Sequence, residues 1–98
     1  GGVMIQAEDE IAAINMVVGG SFAGKRSMTA TSGPGVALMS ETIGMASMAE
    51  IPLVLVNVQR VGPSTGMPTK TDQGDLNQAI YGTAGEGPKV VLSADNVE

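Results

Sequence analysis

Few side chains in this sequence can carry acid–base or anion chemistry, and they cluster. There is no histidine and no cysteine. That removes the commonest general base, the commonest zinc ligand, disulfides, thiolate metal sites and iron–sulfur ligands. Proton transfer must fall to carboxylates, lysine or the single tyrosine. Val54–Thr71 reads VLVNVQRVGPSTGMPTKT. It is an apolar strand that stops at Arg60 and runs into a loop with hydroxyls set between Gly62, Pro63, Gly66 and Pro68. A guanidinium presents a planar fork of donors suited to a carboxylate or phosphate. Two prolines limit the entropy that ligand binding would remove. The expectation is an anion-recognition site; the alternative is a surface turn with a solvated arginine. Ser64 and Thr65 either shape that pocket or are ordinary turn hydroxyls.

The elements that must position this loop read as strand and helix in alternation. Val3–Gln6 is predicted as a strand, followed by the acids of AEDE (Ala7–Glu10) and an uncharged helix over Ile11–Ala23. Carboxylates suit a helix N-terminus, and Gly24, Lys25 and Arg26 suit its end. This helix is apolar nearly all round and should be buried on more than one side. Gly19, Gly20, Ser21 and Ala23 would let another backbone approach. Ser27–Thr31 is the second predicted strand. TSGPG (Thr31–Gly35) turns into a helix over Gly35–Ala49, with Ser32 or Gly33 as cap and Pro34 at the first helical position. Pro52 ends it and opens a third strand, Leu53–Val58. A third helix over Asp72–Tyr81, a turn segment over Gly82–Pro88 and a fourth strand, Lys89–Ser93, complete the reading. Apolar strands joined by helices make a parallel sheet, so the expected class is α/β, a partial doubly wound parallel sheet with helices on both faces. Ligands gather outside the carboxyl ends of such strands. Glu8, Ser32–Gly35 and Arg60–Thr69 all fall there.

Composition narrows the function. Ninety-eight residues make at most one domain, and no internal boundary is visible. A net charge of −5 with five basic residues, and only one Phe, one Tyr and no Trp, argues against nucleic acid. No apolar run reaches the roughly 18–20 residues that cross a membrane, and the cytoplasm is the default location. Charged residues are 15%, below the usual quarter or so, which fits a surface covered by more chain or another subunit. The Gly1-Gly2 opening and the Asn96-Val97-Glu98 ending are expected of a piece of a larger polypeptide. GGSFAGKR (Gly19–Arg26) approximates a phosphate-binding loop, but it lacks the hydroxyl after the lysine and ends a helix instead of opening one. The seven methionines read as adaptable core filler.

Glu8, followed 23 residues later by TSGPG, resembles the pyrimidine-binding domain of thiamine-diphosphate enzymes. The run QRVGPSTGMPTKTDQGDL (Gln59–Leu76) is similar to the alpha chain of 2-oxoacid:ferredoxin oxidoreductases, particularly the 2-oxoglutarate type. The likeness covers nearly the whole chain. It implies an enzyme fragment, not active alone, of a complex that converts a 2-oxoacid to acyl-CoA and reduces ferredoxin. By the same resemblance Glu8 is the catalytic, cofactor-activating acid, Ser32 and Gly33 bind thiamine diphosphate, and Arg60 and Thr69 recognise the 2-oxoacid. Magnesium, the diphosphate domain and an iron–sulfur cluster would belong to other segments or to a beta subunit. Coenzyme A, ferredoxin and a homo- or hetero-oligomeric assembly are the implied partners. The family's upstream YPITP-like substrate motif is absent from this sequence.

The implied chemistry asks for a carboxylic acid that shares a proton with the far ring nitrogen of the aminopyrimidine, helping the thiazolium carbon to lose its own. Burial of Glu8 would raise its pKa toward neutrality, while the helix N-terminus would lower it. Both influences stand at this point. Asp9 and Glu10 read as N-terminal helix acids. Two other readings remain: a thiamine enzyme without redox partners, such as a 2-oxoacid decarboxylase or acetolactate-synthase-like protein, and a non-catalytic dimerisation module.

Overall fold

The computed structural model describes residues 1–97. Its elements are α1 (Glu10–Phe22), β1 (Met28–Ser32), α2 (Gly33–Met48), β2 (Val54–Val58) and α3 (Leu76–Tyr81). Local chemistry sets most of their ends. Asp9 caps α1 by accepting a hydrogen bond from the Ala12 N–H at 2.7 Å, which satisfies one of the free donors of the first turn. At the other end Gly24 takes φ +79°. The Gly24 N–H bonds the Ser21 carbonyl at 2.9 Å and the Lys25 N–H bonds that of Gly20 at 3.0 Å, a Schellman closure. The end of α2 closes the same way on Ala46 and Ser47, with Glu50 at φ 57° where glycine is favoured. The Ser21 hydroxyl donates to the Pro52 carbonyl and ties the end of α1 to the approach of β2.

β1 and β2 pair in parallel, in register from Met28 opposite Val54 to Ser32 opposite Val58, with α2 as the crossover. The α/β class and the parallel pairing are as expected from the sequence. The core lies between α1 and α2: Ile14, Val17 and Val18 from the first and Val36, Met39 and Ala46 from the second are buried. Thr42 is buried beside them and accepts a long bond from the Asn15 amide at 3.4 Å. Among the described residues no helix is long and apolar enough to cross a membrane.

Several expectations are corrected. Neither Val3–Gln6 nor Lys89–Ser93 forms a strand. Backbone donors and acceptors become a strand only against a partner ladder, and the sheet of the described residues has two strands. Val3, Met4 and Ile5 stand 87%, 99% and 67% exposed. The five-residue TSGPG turn is not there either: Ser32 is both the last residue of β1 and the N-cap of α2, so Pro34 sits within the first two helical positions. The Ser32 side chain makes no capping bond. α3 begins at Leu76, not Asp72, because Gly74 weakens the helix and the Asp75 carboxylate is drawn to β2. α1 and α2 are buried on one side only; Met16, Phe22, Leu38 and Met48 are exposed. Of the seven methionines only Met39 is core. The alternating exposure of the strands leaves Met28, Ala30, Val54, Val56 and Val58 on an open sheet face.

Candidate functional site

Parallel pairing sends both strands out at one rim, and the starts of all three helices meet there. A Cβ placed on Gly35, in the first turn of α2, would run into the Thr31 hydroxyl and lie 3.0 Å from Cγ of Glu10, at the start of α1. A Cβ on Gly33 would lie 2.8 Å from Oδ2 of Asp75, just before α3. Glycine at these two positions lets backbone and side chains approach where a larger residue would block them.

Arg60 stands two residues beyond β2, half-buried, with Nε out of solvent and without a hydrogen-bond partner. Its other guanidinium donors make no hydrogen bond among the described residues. A cation without a protein partner at a strand end is free to take an anion. The loop that follows closes on itself. The Val61 N–H bonds the Lys70 carbonyl at 2.9 Å, and the Met67 N–H bonds the Val61 carbonyl at 3.2 Å. This returns Thr69 to the neighbourhood of Arg60, because their sequence neighbours Lys70 and Val61 are bonded. Ser64, Thr65 and Thr69 are exposed on the loop. The Gly62–Pro63 peptide is cis, Ser64 takes φ 57°, and Gly66 takes φ 53° with the Val61 carbonyl oxygen where a side chain would start.

Glu8 precedes α1 on the same rim, with no hydrogen-bond partner among the described residues. It is exposed, so of the two influences left open by the sequence, burial does not apply; the residues before it form no strand that would cover it. Asp9 and Glu10 do act as N-terminal acids, one as cap and one in the first turn.

Sequence reasoning missed Asn57, Gln59 and Asp75. The Asn57 amide donates to Asp75 Oδ2 at 2.6 Å and the Gln59 amide to Asp75 Oδ1 at 2.8 Å. The available signal was an amide inside the otherwise apolar strand and another just past its end, at a spacing of two that places both on one side of an extended chain. Oδ1 of Asn57 is buried and unpartnered. No group of three or more Asp or Glu among the described residues could hold a metal ion. Two shallow concavities lie elsewhere. One, of about 290 Å³, is lined by Ile80, Tyr81, Glu86 and Lys89 among others. The other, of about 420 Å³, lies by Ala46, Glu50 and Pro52.

Residues 1–98 match the family described as pyruvate flavodoxin/ferredoxin oxidoreductase, thiamine diphosphate-binding. The chain is 56% identical over 98 residues to the 2-oxoglutarate synthase subunit KorA of Archaeoglobus fulgidus, covering all of this chain and 28% of that one. It is 53% identical over 91 residues to the 2-oxoglutarate oxidoreductase subunit KorA of Mycobacterium tuberculosis, covering 93% and 14%. A solved 2-oxoglutarate:ferredoxin oxidoreductase from Magnetococcus marinus, with 2-oxoglutarate, coenzyme A and succinyl-CoA bound, superposes with a TM-score of 0.92 at 61% identity, covering 98% of this chain and 17% of that one. This chain therefore spans about a quarter or less of these relatives. With the parallel sheet, the glycine-lined start of α2 and the unpaired arginine at one rim, the match over the full length places this chain in the thiamine diphosphate-binding family of pyruvate flavodoxin/ferredoxin oxidoreductases.

Proposed function

We propose that this chain is the pyrimidine-facing part of the alpha subunit of a thiamine-diphosphate-dependent 2-oxoacid:ferredoxin oxidoreductase of the 2-oxoglutarate type. The enzyme would oxidatively decarboxylate the 2-oxoacid to its acyl-CoA and reduce ferredoxin. The observation that carries this reading is Arg60: a guanidinium with no protein partner, delivered by a strand to the rim where α2 begins. The names of the relatives and of the solved neighbour support it.

The rim suits the cofactor. It offers a free carboxyl at Glu8 and a hydroxyl at Ser32 that is not spent on capping, next to Gly33, against which the Asp75 carboxylate rests. When bound, thiamine diphosphate supplies a carbon nucleophile and an electron sink for decarboxylation. Glu8 holds a proton at the far ring nitrogen of the pyrimidine. Ser32 and Gly33 line its ring. Arg60 binds the substrate carboxylate, Thr69 donates a hydrogen bond beside it, and Ser64 and Thr65 shape the loop around it. Magnesium, the diphosphate site and the iron–sulfur cluster are assigned to other segments or to a beta subunit, with which this chain assembles.

The test uses the assembled complex and coenzyme A-dependent reduction of ferredoxin or viologen. Glu8→Gln removes the shareable proton and is expected to lower turnover by roughly 10²- to 10⁴-fold. Retained turnover would remove Glu8 from the chemistry. Arg60→Lys keeps the charge but loses the fork, and should raise KM for 2-oxoglutarate by roughly 10- to 100-fold with KM for coenzyme A unchanged. Decarboxylation without any coenzyme A-dependent dye reduction would favour a thiamine enzyme that lacks redox partners.

A further inference from the structure

Asp75 is the most heavily engaged carboxylate on the rim, and none of the roles assigned above uses it. Both of its oxygens accept: Oδ2 from Asn57 at 2.6 Å, Oδ1 from Gln59 at 2.8 Å. Its Oδ2 also lies where a Cβ on Gly33 would come within 2.8 Å, so the carboxylate rests against the first residue of α2. That helix has no acid in its first turn and no side-chain cap, and a negative charge at its positive end is favourable there. We propose that Asp75 is a positioning residue for substrate recognition, clamping the end of β2 to the start of α2 so that the Arg60 guanidinium stands at a set place relative to Ser32 and Gly33. The inference rests on the roles proposed above for Arg60, Ser32 and Gly33.

The clamp matters because nothing holds Arg60 directly. Its guanidinium has no protein partner among the described residues, so its placement follows from the backbone that leads to it. That backbone is secured on one side by Gln59 through Asp75 and on the other by the Val61–Lys70 bond. The chemistry also specifies a carboxylate. Two amide donors converge on residue 75, and only an acid offers an acceptor oxygen to each. An amide at 75 offers one acceptor and one NH2, so both bonds survive only if Asn57 or Gln59 turns its own amide over.

The experiment is steady-state kinetics on the assembled complex carrying Asp75→Asn. KM for 2-oxoglutarate is expected to rise about tenfold or more, kcat to fall by less, and KM for coenzyme A to stay unchanged. Adding Gln59→Glu to Asp75→Asn reverses the donor and acceptor of one bond. It should return KM for 2-oxoglutarate to within about threefold of the parent, which a merely structural defect would not do. Gln59→Met, which removes one donor and leaves Asp75 in place, should give a smaller rise in the same KM. It decides the matter if Asp75→Asn fails to assemble. An unchanged KM in Gln59→Met or Asp75→Asn, a loss confined to thermal stability, or a loss that Gln59→Glu does not rescue would overturn the proposal. An unchanged KM in Arg60→Lys would instead sink the role of Arg60 itself, so the two failures are distinguishable.

Discussion

Three adjacent acids at the start of α1 divide their work by what each side chain touches. Asp9 is occupied: its carboxylate satisfies the Ala12 N–H. Glu10 lies against Gly35. Glu8 has no partner among the described residues and is the one available to a ligand. Asp9→Ala is expected to lower the stability of the alpha subunit by about 1 kcal/mol, the usual loss of an N-cap, while turnover is kept. Thermal denaturation paired with the viologen assay reads both, and Glu8→Gln should show the opposite pattern. AEDE could be read as a helix start from sequence, because a cap acts over three residues. Which of its acids stays free could not, because that depends on what each side chain meets in space.

Turn chemistry decides how the elements end, and two positions test it. Gly66 holds φ 53° with the Val61 carbonyl oxygen where a Cβ would sit. Gly66→Ala must therefore open the Val61–Met67 bridge and loosen the loop that carries Ser64, Thr65 and Thr69. The expected cost is about 1–3 kcal/mol of local strain. It would be seen as faster proteolysis within residues 61–70 and a raised KM for 2-oxoglutarate. Glu50 holds the left-handed position after α2 without being glycine. Glu50→Gly should raise stability by a few tenths to about 1 kcal/mol, the relieved backbone strain exceeding the added unfolded-state entropy. A fall in melting temperature would contradict this. The extents of α1, β1, α2 and β2 were legible to within about two residues, since apolar runs punctuated by Gly24, Pro34 and Pro52 are local signals. The shortening of α3 was not, because Asp75 bonds to residues 16 and 18 positions away.

At the scale of the whole molecule the packing is lopsided. The interface of α1 with α2 holds the buried core, whereas one face of the two-stranded sheet exposes Met28, Val54, Val56 and Val58. Ile14→Ala, at a side chain with 0% exposure, should cost about 2–5 kcal/mol, measured as a shift in the denaturation midpoint of the alpha subunit. The isolated 98-residue chain should self-associate through its open face. Sedimentation velocity should show Val56→Lys shifting it toward the monomer. An equal distribution in the two proteins would place the association elsewhere.

By itself the sequence determined the succession α1, β1, α2, β2, α3, the parallel class of the sheet, and the place of Ser32 and Arg60 at or just past strand ends. Each of these follows from hydrophobic period, Gly and Pro punctuation or residue chemistry within a few positions. Tertiary structure alone decided that Val3–Gln6 and Lys89–Ser93 stay outside the two-stranded sheet, and that Asp75 joins β2 to α2. A strand needs a neighbour's ladder and a clamp needs partners brought together by folding, and neither is present in the local order of residues.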